Sequence, residues 1–477
     1  MSRITSEGVA CQAERVRLPE GFCMIKRGTI AVVALIGAVA AGFVCAAEQP
    51  AADVNVPQTL GEYLRQAALN NAGLKAAFEE WKAALEQIPQ AKALPDPRFT
   101  YGYFTEQLQT RQQVEIMQMF PWFGKIAART DAATAAAKAA QSRYEAQQVR
   151  LFSEVKQAFY EYAYLAGATR VARENLTLMQ HFEEVARTKH LTAAASHPDI
   201  LRAQIEVAKL QNELITLERS RSPAMARLNA LLNRPVGAPL PWPREEPGPL
   251  AEVDRGALMA TLKNRNLELQ AVDFDIERLD REVAVAQRNY YPDVGLGVQY
   301  MRMAMPDGGN ANDVMLGVEL NVPIWRGSYR AGELQARALA RRARHERKNL
   351  ENNLAARIEQ ALYEFENSGR QVKLYDEALV PRAEELIAAS EAAYLAGTID
   401  FLNLISAQQD LLRFRLERER FWADQQQKSA ELEMLVGAGS PEVMGGSRFG
   451  GQMPARSVEV MGSSKSGGQM PAKSTMR

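Results

Sequence analysis

Residues 291–327 read YPDVGLGVQYMRMAMPDGGNANDVMLGVELNVPIWRG, and within them Val294, Leu296, Val298 and Tyr300 alternate with Gly295, Gly297 and Gln299. After a turn rich in Gly, Asn and Asp, Val314, Leu316, Val318, Leu320 and Val322 alternate with Met315, Gly317, Glu319 and Asn321. This period of two predicts a pair of strands with one apolar face and one polar or small face. A lone hairpin is only marginally stable in water, so the rest of the chain has to supply partner strands.

Working outward from that hairpin, the surroundings read as long helix. A helical pattern over 251–289 leads into it, and a proline-poor helix from Ser328 to about Ala396, interrupted only by Pro381, leads away from it. The chain then turns at Gly397-Thr398 and returns as a helix from Asp400 to Val436. The same order stands earlier in the chain. A helix over Thr59–Lys92 stops at Leu94-Pro95-Asp96-Pro97, where the prolines force extended backbone. Strands follow at Phe99–Phe104 and Val114–Phe120, separated by a polar loop around Glu106–Arg111. A helix from Lys125 to about Leu191 comes next; at 1.5 Å per residue it approaches ~100 Å. After a turn at 194–198, a returning helix covers Asp199–Leu232 with Pro223 inside it.

Pro95 therefore answers Pro292, Pro121 answers Pro323, and Asp199-Ile200-Leu201 answers Asp400-Phe401-Leu402. An internal duplication accounts for nearly all of residues 57–438. The expected organisation is an N-terminal extension and signal over 1–47, a first repeat over 48–236, a proline-rich linker over 237–250, a second repeat over 251–438 and a Gly/Ser/Met tail over 439–477. The tail repeats MGGSRFGGQMPARS as MGSSKSGGQMPAKS, a pattern expected to be disordered.

Composition excludes several classes. The 477 residues carry 57 basic and 57 acidic side chains, a balance that offers no basic field to nucleic acid. Cys11, Cys23 and Cys45 all precede residue 48, so neither disulfides nor thiolate metal sites are expected in the body. The four histidines, His181, His190, His197 and His345, are too scattered to suggest a zinc site. No catalytic, cofactor-binding or metal-ligating constellation is expected. Lys26 and Arg27 precede an apolar run from about Ile30 to Val44 that ends in small residues, the order of a secretory signal. The run is shorter than the ~20 residues of a spanning helix, and the bulky Phe43 and Val44 ahead of Cys45 do not suit a lipoprotein signal.

Strands of nine to eleven residues suit a tilted membrane-spanning β-strand. Open sheet edges cannot face lipid, so four strands per chain have to close with other chains. The Ala-rich helices with charged flanks suit side-by-side packing of the coiled-coil kind.

The duplicated order, PDPRFTYGYF with YPDVGLGVQY, FPWFGK with VPIWRG, and AYLAGTIDFLNLISAQQDLL at 393–412 together resemble the TolC-like outer-membrane efflux proteins. The resemblance covers roughly residues 57–438. It implies a mostly α fold with membrane β: a homotrimer closing a twelve-stranded outer-membrane β-barrel, four strands per chain, continued by a long periplasmic α-helical barrel. It implies no enzymatic activity. The role implied is a passive channel in a tripartite efflux system, with a periplasmic adaptor (membrane fusion) protein and an inner-membrane pump of the RND type docking at the helical tips. LPDPRFTYGYF and FPWFGK are similar to members that serve heavy-metal pumps.

On that resemblance, Asp199, Arg202, Gly397, Asp400, Asn403 and Ser406 are expected at the periplasmic gate and adaptor-docking surface. Asn403 and Ser406 stand where the family often has acids, which leaves an acidic aperture ring open. Asp199 and Asp400 also read as helix caps. Gln299, Glu319 and Asn321, with Gly295, Gly297 and Gly317, are expected to line the barrel lumen. Trp122, Trp325 and Tyr291 are expected at the membrane interface, with packing against the helices as the alternative for Trp325. Met117, Met119, Met301, Met303 and Met305 fit either a soft-metal path or filling of apolar gaps. A periplasmic coiled-coil structural protein, an efflux adaptor and a duct for type I protein secretion are the other readings; none of the first two predicts proline-bounded hairpins at equivalent places in two halves.

Overall fold

The computed structural model describes residues 57–104, 110–191, 196–243, 253–305 and 309–437. The signal, the C-terminal tail, part of the proline-rich linker and the two hairpin turns lie outside the described residues. Among the described residues no helix is long and apolar enough to cross a membrane.

Four strands form one antiparallel sheet in the order β1 (Arg98–Tyr103), β2 (Thr110–Phe120), β3 (Asp293–Ala304) and β4 (Asn310–Asn321). The two hairpins are thus joined through β2 and β3, with Met117 opposite Gly297 and Phe120 opposite Val294. β2 begins at Thr110, four residues before its alternation becomes visible in sequence, with a register shift between Thr110 and Gln112. β1 and β4 are the two free edges.

The leading helix of each repeat, continuous by its sequence pattern, is broken once. α1 (Leu60–Asn70) and α2 (Ala72–Lys92) are separated at Asn71; α5 (Arg255–Arg265) and α6 (Leu267–Arg288) at Asn266. In each case the asparagine accepts from the backbone N–H three residues on, Leu74 and Leu269, both at 2.9 Å, and so caps the second helix. Its amide then donates to the far end of the same repeat: Asn71 to Leu231 O at 2.9 Å, Asn266 to Leu435 O at 2.8 Å.

α3 runs unbroken over Lys125–Leu191, 67 residues, and turns into α4 (His197–Leu231), which passes through Pro223. The second long arm is α7 (Arg326–Leu374), a π-helical turn at Tyr375–Leu379, and α8 (Val380–Leu395); α9 (Phe401–Val436) returns. The π turn stands just ahead of Pro381, where the missing N–H and the ring would break an α-helical ladder. α3 packs on α2 and α4 of its own repeat and on α6 and α9 of the other. That is why its apolar residues form no single stripe, and why so many of its buried positions are alanines, Ala128, Ala135, Ala139, Ala158, Ala168 and Ala172 among them: small contacts let helix axes approach closely.

Three apolar clusters result. One joins α1 and α2 to α3 and the end of α4 around Tyr63, Phe159 and Tyr162; its counterpart joins α5 and α6 to α7 and the end of α9 around Leu262, Ile358 and Phe365. The third lies where the arms of both repeats turn, around Met179, Phe182, Ile200, Tyr394, Phe401 and Leu404.

Candidate channel wall and helical tips

The sheet separates its two faces as the alternation predicts. Leu296, Val298 and Tyr300 on β3 stand opposite Val318, Leu316 and Val314 on β4, and Val298 and Tyr300 stand opposite Ile116 and Val114 on β2. All of these but the half-buried Val114, with Phe99 and Tyr101 on β1, are exposed, so this face of the sheet presents a band of aliphatic and aromatic groups without cover, with Gln118, opposite Leu296, as a polar member. The other face carries Thr100, Glu115, Gln299, Glu319 and Asn321, interspersed with glycine and methionine. Of the expected lumen residues, Glu319 lies opposite Gly295, Gln299 opposite Met315, and Asn321 opposite Asp293, all on this second face.

Methionines recur there. Met117, Met119, Met301, Met303 and Met315 share the polar face, and Met117 folds across the glycine column: its Sδ lies 3.2 Å from where a Cβ on Gly295 would sit and 3.0 Å from one on Gly297. The glycines make the room that this thioether occupies. Met315 stands opposite Gln299, on the polar face that the alternation predicts for it.

Where the sheet meets the helices, the repeats are tied together. Lys125, almost fully buried, donates to Asp293 Oδ1 at 2.7 Å and to Tyr291 O at 2.9 Å. Asp293 Oδ1 also accepts from the Trp122 N–H at 2.9 Å, and Arg288 donates to Phe123 O at 2.9 Å. Trp122 stacks on Tyr291, ring centroids 5.9 Å apart and planes within 5°. Two of the expected interface aromatics are therefore a single stacked pair. Trp325 is 80% exposed in the single chain. Lys125 and Asp293 were passed over in sequence; the signal was their place in FPWFGK and YPDV, immediately beside the strand ends.

At the other end of the arms, the expected gate residues of both repeats gather around one core. Asp199 accepts from the Ser196 N–H at 3.2 Å and Ser196 Oγ at 2.9 Å, and lies 3.8 Å from Arg202. It is the third helical residue reaching back to the cap, not the cap itself. Asp400 occupies the N-cap position of α9 but its side chain makes no capping bond, which corrects the capping expectation and leaves the carboxylate exposed. Asn403 and Ser406 lie on the exposed side of α9 while Phe401, Leu404 and Ile405 are buried. Gly397 takes φ +76° and ends α8, with the Thr398 N–H returning to Ala393 O at 2.9 Å. Burial first, and then the nearby Asp199 carboxylate, push the Tyr394 phenol above its ordinary pKa. Lys189 donates to Leu395 O at 3.1 Å and lies 4.4 Å over the Tyr394 ring. First-repeat side chains thus close on the second-repeat turn.

Residues 63–234 and 258–438 match the family described as Outer membrane efflux protein. Among curated proteins the chain is 24% identical over 388 residues to the cobalt-zinc-cadmium resistance protein CzcC of Cupriavidus metallidurans, covering 80% of this chain and 90% of that one. It is 22% identical over 405 residues to nodulation protein T of Rhizobium leguminosarum bv. trifolii, covering 80% and 85%. The fold superimposes on the solved CusC channel with a TM-score of 0.70 at 15% identity, covering 80% of this chain and 92% of that one.

Proposed function

Because this chain belongs to the outer membrane efflux protein family, we propose that it is the outer-membrane duct of a tripartite efflux system that passively conducts metal ions out of the cell. The family is one of outer-membrane channels, not enzymes, and its helical part is periplasmic.

The observation that carries the reading is the sheet: strands of up to 12 residues, one face with a broad apolar band, one polar face and two unpaired edges. At about 3.3 Å per residue, twelve residues tilted by about 45° rise roughly 28 Å, the thickness of a bilayer's hydrocarbon core. Unpaired edges are not tolerated in lipid, so three copies close twelve strands, polar face inward. The arms then form the periplasmic tube, and their tips around Asp199, Arg202, Gly397, Asp400, Asn403 and Ser406 meet a periplasmic adaptor and, through it, an inner-membrane pump of the RND type. Metal as cargo is supported by the name of the CzcC relative and by the thioethers on the inward face.

In planar bilayers the purified protein is expected to open cation-conducting pores, and a deletion strain to lose tolerance to a metal ion rather than to organic toxins. Recovery of the chain as a soluble periplasmic protein would overturn the channel; unchanged metal tolerance with a functioning pore would overturn the cargo. Asp400→Arg is expected to change single-channel conductance and efflux, and no change in either would remove the tips from the gate.

A further inference from the structure

The methionines of the strands are arranged as a ladder. On the polar face Met119 pairs with Gly295, Met117 with Gly297, Met315 with Gln299, Met301 with Gln113 and Met303 with Thr110. Followed along β3, these are successive same-face positions, so every rung from Gly295 to Met303 carries one thioether and none carries two. Rungs are two residues apart, about 7 Å. A line of sulfurs therefore runs from the helical junction toward the far end of the strands.

Gap filling does not account for this placement. Methionine used as apolar packing belongs among other apolar side chains, yet the face of Leu296, Val298, Leu316 and Val318 holds none. The polar face in turn holds no Val, Leu, Ile or aromatic side chain among its paired strand residues; beyond alanine, its apolar groups are thioethers alone. Met315 stands 48% exposed there. What separates methionine from the apolar residues excluded from this face is its sulfur, a soft donor.

The end nearest the helices is the most closely built. A Cβ on Gly295 would lie 3.2 Å from Met117 Sδ, 3.6 Å from Met119 Cε and 3.1 Å from Glu319 Cβ, so three side chains gather about one point. Glycine at 297 lets Met117 lean across from β2, its Cε 2.8 Å from where a Cβ would sit. The thioether thus lies over β3, in line with Met301 and Met303 of that strand.

Resting on the duct reading above, in which this face is the lumen, we infer that the ladder binds soft monovalent cations, Ag(I) or Cu(I), and passes them along the wall. Met117 and Met119 form its first station, with the Glu319 carboxylate as counter-charge. Conduction asks for several sites that each let go rather than one that holds, and uncharged thioethers in series meet that demand. Zn(II), which imidazole suits, finds no histidine on any strand.

Purified full-length protein in planar bilayers carries the test, bathed in potassium nitrate because chloride precipitates silver. Micromolar Ag(I) is expected to lower the single-channel current reversibly. Met117→Leu with Met119→Leu should weaken that block by roughly tenfold or more and leave the current in nitrate alone unchanged, since leucine keeps the volume. Zn(II) should act alike on parent and variant, and Leu316→Met, a thioether added to the opposite face, should leave the silver block where it was. If the paired substitution prevents assembly, Met315→Leu, at its exposed position on β4, should weaken the block in its place. Silver acting equally on parent and methionine variants, or not at all on the parent, would overturn the ladder while sparing the duct. A Zn(II) block lost together with the methionines would overturn the soft-cation class, and a chain that opens no pore would overturn both readings.

Discussion

Lys125, the first residue of the long helix of the first repeat, and Asp293, the first residue of β3 in the second, form an ion pair at 2.7 Å with side chains 5% and 23% exposed. The carboxylate is shared with the Trp122 N–H and the ammonium with Tyr291 O. One charge from each repeat thus fixes the angle between strand and helix for both.

Removing one partner of such a pair leaves the other desolvated. Lys125→Met is expected to destabilise by about 2–4 kcal/mol, somewhat below a fully buried pair because Asp293 keeps some water. Thermal unfolding in detergent would read this, with Lys125→Met plus Asp293→Asn recovering a large share. An unchanged midpoint for the single variant would mean that the latch holds nothing.

Adjacent positions on β3 should respond in opposite ways to the same substitution. Val298→Lys puts a charge on the apolar face and should cost about 2–4 kcal/mol, lowering trimer yield. Gln299→Lys, on the polar face, should leave assembly intact and shift reversal potentials toward anions. If both variants assemble equally, the assignment of faces is wrong.

Two glycines with positive φ should differ in their demands. At Gly397 (φ +76°) a Cβ meets nothing, so Gly397→Ala should cost only the backbone strain, about 1–2 kcal/mol. At Gly437 (φ +69°) a Cβ would lie 2.5 Å from Arg265 O, so Gly437→Ala adds a clash with backbone and should cost about 3 kcal/mol or more. Melting temperatures should fall in that order.

Tyr375 donates to Glu417 at 2.6 Å, and burial first, then that carboxylate, raise its pKa to about 12. The folded value lies above the unfolded one, so the neutral phenol stabilises the fold fully below pH 10, and this is lost as pH rises from about 10 to about 12. Tyr375 is one of several tyrosines raised above the ordinary range, Tyr63, Tyr162, Tyr164 and Tyr394 among them, so ultraviolet titration should show one late-ionising tyrosine fewer in Tyr375→Phe, whose stability should lose that part of its alkaline pH dependence. A Tyr375→Phe titration identical to the parent's would refute the assignment.

The duplicated order, the strand faces and the long arms were legible because prolines and period-two alternation are local signals. Asn71 and Asn266 were not. An asparagine inside a helical pattern breaks it only when its amide has somewhere else to go, and the destinations, Leu231 O and Leu435 O, lie more than a hundred residues away. Asn266 is 3% exposed, so no substitution there is neutral. The tips were half legible: AYLAGTID announces the turn at Gly397, but only the packing of Lys189 and Tyr394 across repeats shows that both turns share one core. Asp400 as a cap failed because position alone does not orient a carboxylate.

The latch has no twin. Under the shift that superimposes the hairpins, Asp96 stands where Asp293 does, but Gly327 stands where Lys125 does, so a ring of three copies carries three such latches, not six. Each chain is therefore held by a shielded charge at one of its two strand-to-helix corners, and Lys125→Met should loosen three corners of the ring while leaving the other three as they were.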